Sequence, residues 1–234
     1  MTSVKTKNRI WELDFLRGIC IWGVVFVHFI FDIQVFTNIK ISTSTFFDIT
    51  MEYGGIIFIL LSGICVTLGR KSIKRGLIVF IAGILISIVT FLLFQSTTAM
   101  VWFGILHFLG ICMILSPLLK KCPQWLLPIL SICSVLLGYL FETITVSVKW
   151  LFPLGLTTSN FGSGDYFPMF PNIGFFIIGI FLGRLLYKNK RTLFPRVNTS
   201  NILVKFFCFC GRHSLFIYLC HQPIAYIIVM SFLA

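Results

Sequence analysis

Asp14, Arg17, His28 and Asp32 stand in and beside one long apolar run. At about 100° per residue of α-helix they fall within about 60° of one another. The other sides of that helix are Ile, Val, Trp and Phe. Glu12 falls on the opposite side and is expected to be solvated. A charged group at mid-bilayer costs roughly 2.5–3.5 kcal/mol by insertion scales, so such a stripe should be turned away from lipid and is a candidate for chemistry. The rise from Arg17 to His28 is about 16 Å. That sets the imidazole near the middle of a hydrocarbon layer about 30 Å thick. Asp32, one turn further on, is placed to hydrogen-bond the ring. An imidazole backed by a carboxylate is more basic and held in one tautomer, which suits a general base.

His107 and His221 fall at comparable depths in two later apolar runs, His107 inward of Trp102 and His221 outward of Arg212. Three histidines could then meet in one cavity. Each of the later two is equally a helix-packing hydrogen-bonder. His213, beside Arg212, reads as an interface residue. Arg70, Lys71, Lys74 and Arg75 form a cationic cluster that either anchors topology or binds a polyanion such as the phosphates of a CoA nucleotide. Cys208, Cys210 and His213 have a spacing that resembles a metal cluster, but no fourth ligand is evident, and no metal is expected. Nucleotide-binding glycine loops, zinc-protease helices and serine-hydrolase elbows are absent.

The elements that must position these residues are membrane helices. The 234 residues are 58% hydrophobic and 11% charged, with a mean hydropathy of +0.99. Soluble domains carry about 25% charged residues. A water-soluble fold, disorder, a coiled coil and a β-barrel are therefore excluded in favour of an all-α polytopic protein. Seven runs qualify as transmembrane helices, so about seven spans are expected: Phe15–Phe36, Tyr53–Leu68, Gly76–Phe94, Val101–Leu119, Trp125–Phe141, Phe170–Tyr187 and Ser214–Leu233. Seventeen of the 19 basic residues alternate onto one side, and only Lys40 and Lys149 fall on the other. Asp32, Asp48, Glu52, Glu142 and Asp165 lie with that second pair, leaving Glu12 and Asp14 on the basic side. This asymmetry predicts a cytoplasmic N-terminus and an outer C-terminus. It also explains the net charge of +12 without nucleic acid. The first run is longer than a cleavable signal core and is expected to stay as an anchor. None of the eight cysteines lies in an outer loop, so no disulfide framework is expected. One domain is expected over 1–234. Residues 142–169 form a long outer connection, with an apolar part at Lys149–Leu156 that is too short to span and is expected to re-enter or to lie over the helices.

Leu13-Asp14-Phe15-Leu16-Arg17-Gly18-Ile19, followed by Val27-His28-Phe29, resembles the first helix of transmembrane acyltransferases. Phe58–Ile64 resembles their second. With Phe103–Gly110, Ser163–Pro168 and Leu215–Pro223, nearly the whole chain resembles bacterial proteins with a heparan-α-glucosaminide N-acetyltransferase catalytic-type domain. The resemblance implies a multi-pass enzyme of the bacterial plasma membrane. It would move acetyl from cytosolic acetyl-CoA to an outer-side acceptor, a sugar amine or hydroxyl. The family's intramembrane histidine maps onto His28 and its inner arginine onto Arg17. Arg17, Arg70 and Arg75 are then expected at the CoA phosphates, and the thioester near His28. Asp32 would orient His28. His107 and His221, with Asp165 and Tyr166, would serve the acceptor. The chain departs from the lysosomal enzymes in having fewer spans and no histidine across 33–52, which leaves a homodimer open. A proton-coupled transporter and a non-catalytic membrane subunit are the alternatives, the first because intramembrane His and Asp also build proton relays.

Overall fold

A computed structural model describes residues 9–37, 39, 45–94 and 100–232. Lys5, Lys7 and Lys40 lie outside the described residues, as do the side chains of Asp48 and Glu52. The described residues are helical apart from turns and two isolated bridge pairs. Each of the seven expected runs contains a helix: α1 Trp11–Phe36, α2 Thr45–Leu68, α3 Ser72–Phe94, α4 Ile105–Leu119, α5 Leu126–Glu142, α6 Met169–Leu186 and, last in the chain, α8 Ser214–Phe232. The sequence reading did not foresee α7, Ile202–Arg212. Among the described residues, four helices are long and apolar enough to cross a membrane, within α1, α3, α6 and α8. Tyr53–Leu68, α4 and α5 are apolar but shorter. The chain forms two compact units, Ile59–Leu186 and a second made of Met1–Phe58 with Tyr187–Ala234.

In the unit 59–186, α3 packs on α4 and α5 on α6. Small residues let the backbones approach, as helix contacts in lipid require. A Cβ on Gly76 or Gly110 would press into the opposite helix of the α3–α4 pair. Ser131 Oγ donates to the Gly174 carbonyl at 2.8 Å across α5 and α6. Cations close the helix ends at one side of this unit. Lys120 Nζ donates to the Val66 carbonyl at 3.0 Å. Arg184 donates to the carbonyls of Cys122 and Leu119, at 2.8 and 3.2 Å. Val66 and Leu119 lie in the last turns of α2 and α4, where carbonyls lack intrahelical partners, and Cys122 lies in the turn just after α4.

The expected span from Val101 is corrected at its start. Residues 101–104 are not helical, and α4 begins at Ile105. The backbone of 100–103 is met by the connection between α5 and α6 instead. Phe167 N donates to the Phe103 carbonyl at 2.9 Å, and Gly164 N to that of Met100 at 3.0 Å. That connection is itself folded, with a 3-10 turn at Lys149–Leu154.

In the other unit, α1 packs against α7 and α8. Gly18 lies against the Phe207 backbone and Gly211 against that of Asp14. Leu16, Ile19 and Phe26 are exposed along a different side of α1. Glu12 is corrected: it is 4% exposed, not solvated. Its carboxylate accepts from Thr192 Oγ1 and Leu193 N, each at 2.8 Å, because the connection after α6 folds back over the start of α1.

Candidate functional site

Helical phase brings two polar stripes together in the unit that holds α1 and α8. From α1 come His28 and Asp32. From α8 come His221 and Gln222, on a helix whose buried residues are His221, Ala225 and Val229, one turn apart. The rings of His28 and His221 meet edge-on with centroids 5.0 Å apart. Gln222 Nε2 donates to Asp32 Oδ1 at 2.8 Å. Asp32 is 1% exposed, so this bond ties the helices at a point without water.

The ring nitrogens have defined roles. His28 Nδ1 lies 3.0 Å from the Val24 carbonyl, and His221 Nδ1 contacts the Tyr218 carbonyl. A carbonyl only accepts, so Nδ1 carries a proton in both rings, and in the neutral form of each ring Nε2 holds the lone pair. The backbone of α1, rather than Asp32, therefore holds the His28 ring. The Asp32 carboxylate turns to α8.

His221 Nε2, Asp32 Oδ2 and Gln222 Oε1 are buried with no partner among the described residues. Native proteins pair most buried polar atoms. Three acceptors left open together, beside a pair of imidazoles, describe a place that takes a hydrogen-bond donor. Arg17 Nε, about 16 Å back along α1, is also buried without a partner.

The remaining expected site residues lie in the unit 59–186. His107 has both nitrogens engaged: Gly104 N donates to Nδ1 at 3.3 Å, and Nε2 lies 3.4 Å from Ser87 Oγ. The ring stacks on Phe103. Asp165 Oδ2 accepts from Ile105 N at 3.1 Å and so caps α4 from sixty residues away. The Tyr166 hydroxyl donates to the Phe152 carbonyl at 2.7 Å, and burial pushes its pKa up to about 12. Phe103–Gly110 and Ser163–Pro168 are thus two halves of one joint. Arg70 and Arg75 are exposed, at and just after the turn between α2 and α3.

The three cysteine-cluster residues have separate partners or surroundings. Cys208 Sγ contacts the Trp11 carbonyl at 3.4 Å, Cys210 Sγ accepts from Trp22 Nε1 at 3.3 Å, and His213 ends α7 in an exposed position. Among the described residues no group of three or more His, Cys, Asp or Glu is gathered as for a metal ion.

Gln222 was not foreseen as part of the site. Its signal was an amide one residue after an intramembrane histidine in an otherwise apolar run.

The family model for heparan-alpha-glucosaminide N-acetyltransferase, catalytic, matches residues 9–223. No curated protein and no solved structure matches the chain.

Proposed function

The chain belongs to the heparan-α-glucosaminide N-acetyltransferase catalytic family, and we propose that it is a multi-pass membrane enzyme carrying acetyl from cytosolic acetyl-CoA to an amine or hydroxyl on the outer side. The observation that carries this reading is the α1–α8 site, where His28 and His221 meet beside Asp32 and Gln222. Seven spans with an inner N-terminus are part of the proposal. The charge alternation supports them, as do the cations that close the helix ends in the unit 59–186.

His28 is the reacting group. Its Nε2 lone pair takes the proton of the acceptor N–H or O–H as that atom attacks the thioester carbonyl. The C–S bond breaks, and the leaving thiolate collects the proton from the imidazolium. In the covalent variant Nε2 attacks the carbonyl itself, the thiolate leaves, and the acceptor then takes the acetyl group from the ring. His221 presents a second lone pair at the same place. Asp32, held by Gln222, offers Oδ2 to a donor on the acceptor. Arg17 is assigned to phosphate by its charge and its unpartnered Nε, and the exposed Arg70 and Arg75 by charge alone. His107, Asp165 and Tyr166 already have partners, which supports a part in holding the outer connection to the start of α4.

The test is transfer of radiolabelled acetyl from acetyl-CoA to an amino sugar by purified protein. General-base catalysis contributes about 10²–10⁴-fold, so His28→Ala should lose at least a hundredfold in rate. Unchanged transfer in that variant would overturn the assignment. A pH-driven flux in proteoliposomes without acetyl transfer would favour a proton-coupled carrier built on the same residues.

A further inference from the structure

The acyl-transfer chemistry leaves unused a cleft where α7 passes the start of α1. Its walls include Arg9, Trp11, Asp14, Lys205, Cys208 and Arg212. Three cations thus face one carboxylate, and Arg9 Nε lies 4.0 Å from Asp14 Oδ2. Arg212 Nε donates to the Cys208 carbonyl at 3.0 Å, which holds that side chain along α7. Glu12, by binding Thr192 and Leu193, fixes the connection that runs on to Thr199 at the cleft wall.

The helix α7 has three sides. Phe207, Cys210 and Gly211 turn to α1: Phe207 meets Phe15 edge-on at 5.5 Å, Cys210 accepts from Trp22, and Gly211 touches the Asp14 backbone. Lys205, Cys208 and Arg212 follow one another at one-turn spacing along the cleft, with Val204 beside Lys205. The third side is apolar and open, with Ile202 80% exposed and Leu203, Phe206 and Phe209 also exposed. Eleven residues rise about 16 Å, too little to cross a bilayer. A short helix with cations beside an open apolar side lies in the plane of the membrane interface.

We propose that this cleft binds the phosphodiester of an anionic phospholipid, whose acyl chains lie along the open apolar side of α7. Charge complementarity selects the headgroup: the walls carry an excess of cations, and basic residues near a membrane surface attract anionic headgroups. The apolar side favours a lipid over a soluble anion, since the acyl chains of a bound lipid can cover Ile202 and Phe209, which a soluble phosphate does not touch. The site is independent of acetyl transfer and does not rest on the role of His28.

The experiment is native mass spectrometry of the protein after exchange into micelles containing equal phosphatidylglycerol and phosphatidylcholine. The wild-type chain should retain phosphatidylglycerol at least tenfold in preference. Combining Arg9→Gln, Lys205→Gln and Arg212→Gln should abolish the preference. Combining Lys188→Gln and Arg196→Gln, which remove exposed cations outside the cleft, should leave it intact. Asp14→Asn should raise retention, a gain that misfolding does not produce. Equal retention of the two lipids by the wild type would overturn the proposal, as would a preference that survives the triple variant or is lost equally in the double. Displacement of phosphatidylglycerol by an equal concentration of free coenzyme A would assign the cleft to a soluble nucleotide instead and overturn it too.

Discussion

Gln222 gives Asp32 its hydrogen bond from α8, and that bond spans two helices at a point shut off from solvent. Gln222→Leu leaves the carboxylate without it. Orphaning a buried polar group costs about 1–3 kcal/mol, a drop of several degrees in a melt of a chain this size. Combining Asp32→Leu with Gln222→Leu removes both partners and should recover most of the loss, because a pair replaced by apolar groups is nearly neutral. A double variant melting no higher than the single one would mean that the bond is not what ties α1 to α8. Tyr166 gives a pH test. Its phenol ionises near 10 in an open chain and at about 12 when folded. Between those values the folded state keeps a proton that the unfolded state has lost, so the contribution falls as pH rises from about 10 to 12. Thermal melts across that range should fall more steeply for the wild type than for Tyr166→Phe. Parallel slopes would dissociate Tyr166 from the joint with Phe152. His28 and Asp32 were legible because helical phase puts them on one side of α1. The donor to Asp32 was not. Phase gives the direction a side chain takes, not what arrives from another helix, and the same holds for Glu12 under Leu193.

At the scale of elements, glycines decide how near α7 can come to α1. A Cβ on Gly18 would collide with the Phe207 carbonyl, and one on Gly211 with the carbonyl of Asp14. Both obstacles are backbone, so neither yields without moving a helix. Gly18→Ala or Gly211→Ala should cost about 1–3 kcal/mol, as overpacking of a tight contact does. Gly23, on the same helix, has nothing within 4 Å of a built Cβ. Gly23→Ala should melt at or above the wild type, since alanine is the better helix former. Melts in detergent separate the three, and equal values for all would remove the close crossing. The apolar runs read from composition all contain helix, because length and hydropathy suffice for that. The start of α4 was misplaced for a physical reason. Val101–Gly104 is as apolar as a helix interior, yet Val101 bonds to Ser87 and Thr90 of α3, and Trp102 N, the Phe103 carbonyl and the cap of α4 are met from Ser163–Phe167, some sixty residues later. Nothing local in 101–104 announces that partner. The helix α7 escaped notice for the opposite reason: its apolar stretches, Ile202–Val204 and Phe206–Cys210, are split by Lys205 within a basic connection and are too short for a span.

Over the whole molecule, charge asymmetry does two jobs at once. In the proposed topology basic residues set the side of each connection, and in the unit 59–186 two of them also close helix ends: Lys120 on Val66, and Arg184 on Leu119 and on Cys122 in the turn after it. The acid of that unit that makes a cap, Asp165, works at the start of α4, at the opposite end of that helix from Leu119. A cation satisfies carbonyls at a helix C-terminus, and a carboxylate satisfies N–H groups at an N-terminus. Helices running alternately through a membrane therefore gather the two kinds of cap on opposite sides. The proposed topology has a direct readout. Trp150 is 85% exposed in the outer connection, and Lys190 is exposed after α6. In a background with the native cysteines replaced, Trp150→Cys should react with a membrane-impermeant maleimide on intact cells. Lys190→Cys should react only after the cells are permeabilised. One helix, α6, lies between these two positions, so they must label from opposite sides if it crosses the bilayer. Labelling of both from outside would take α6 out of the membrane. Exchanged labelling would place the basic connections outside and reverse the path from acetyl-CoA to acceptor.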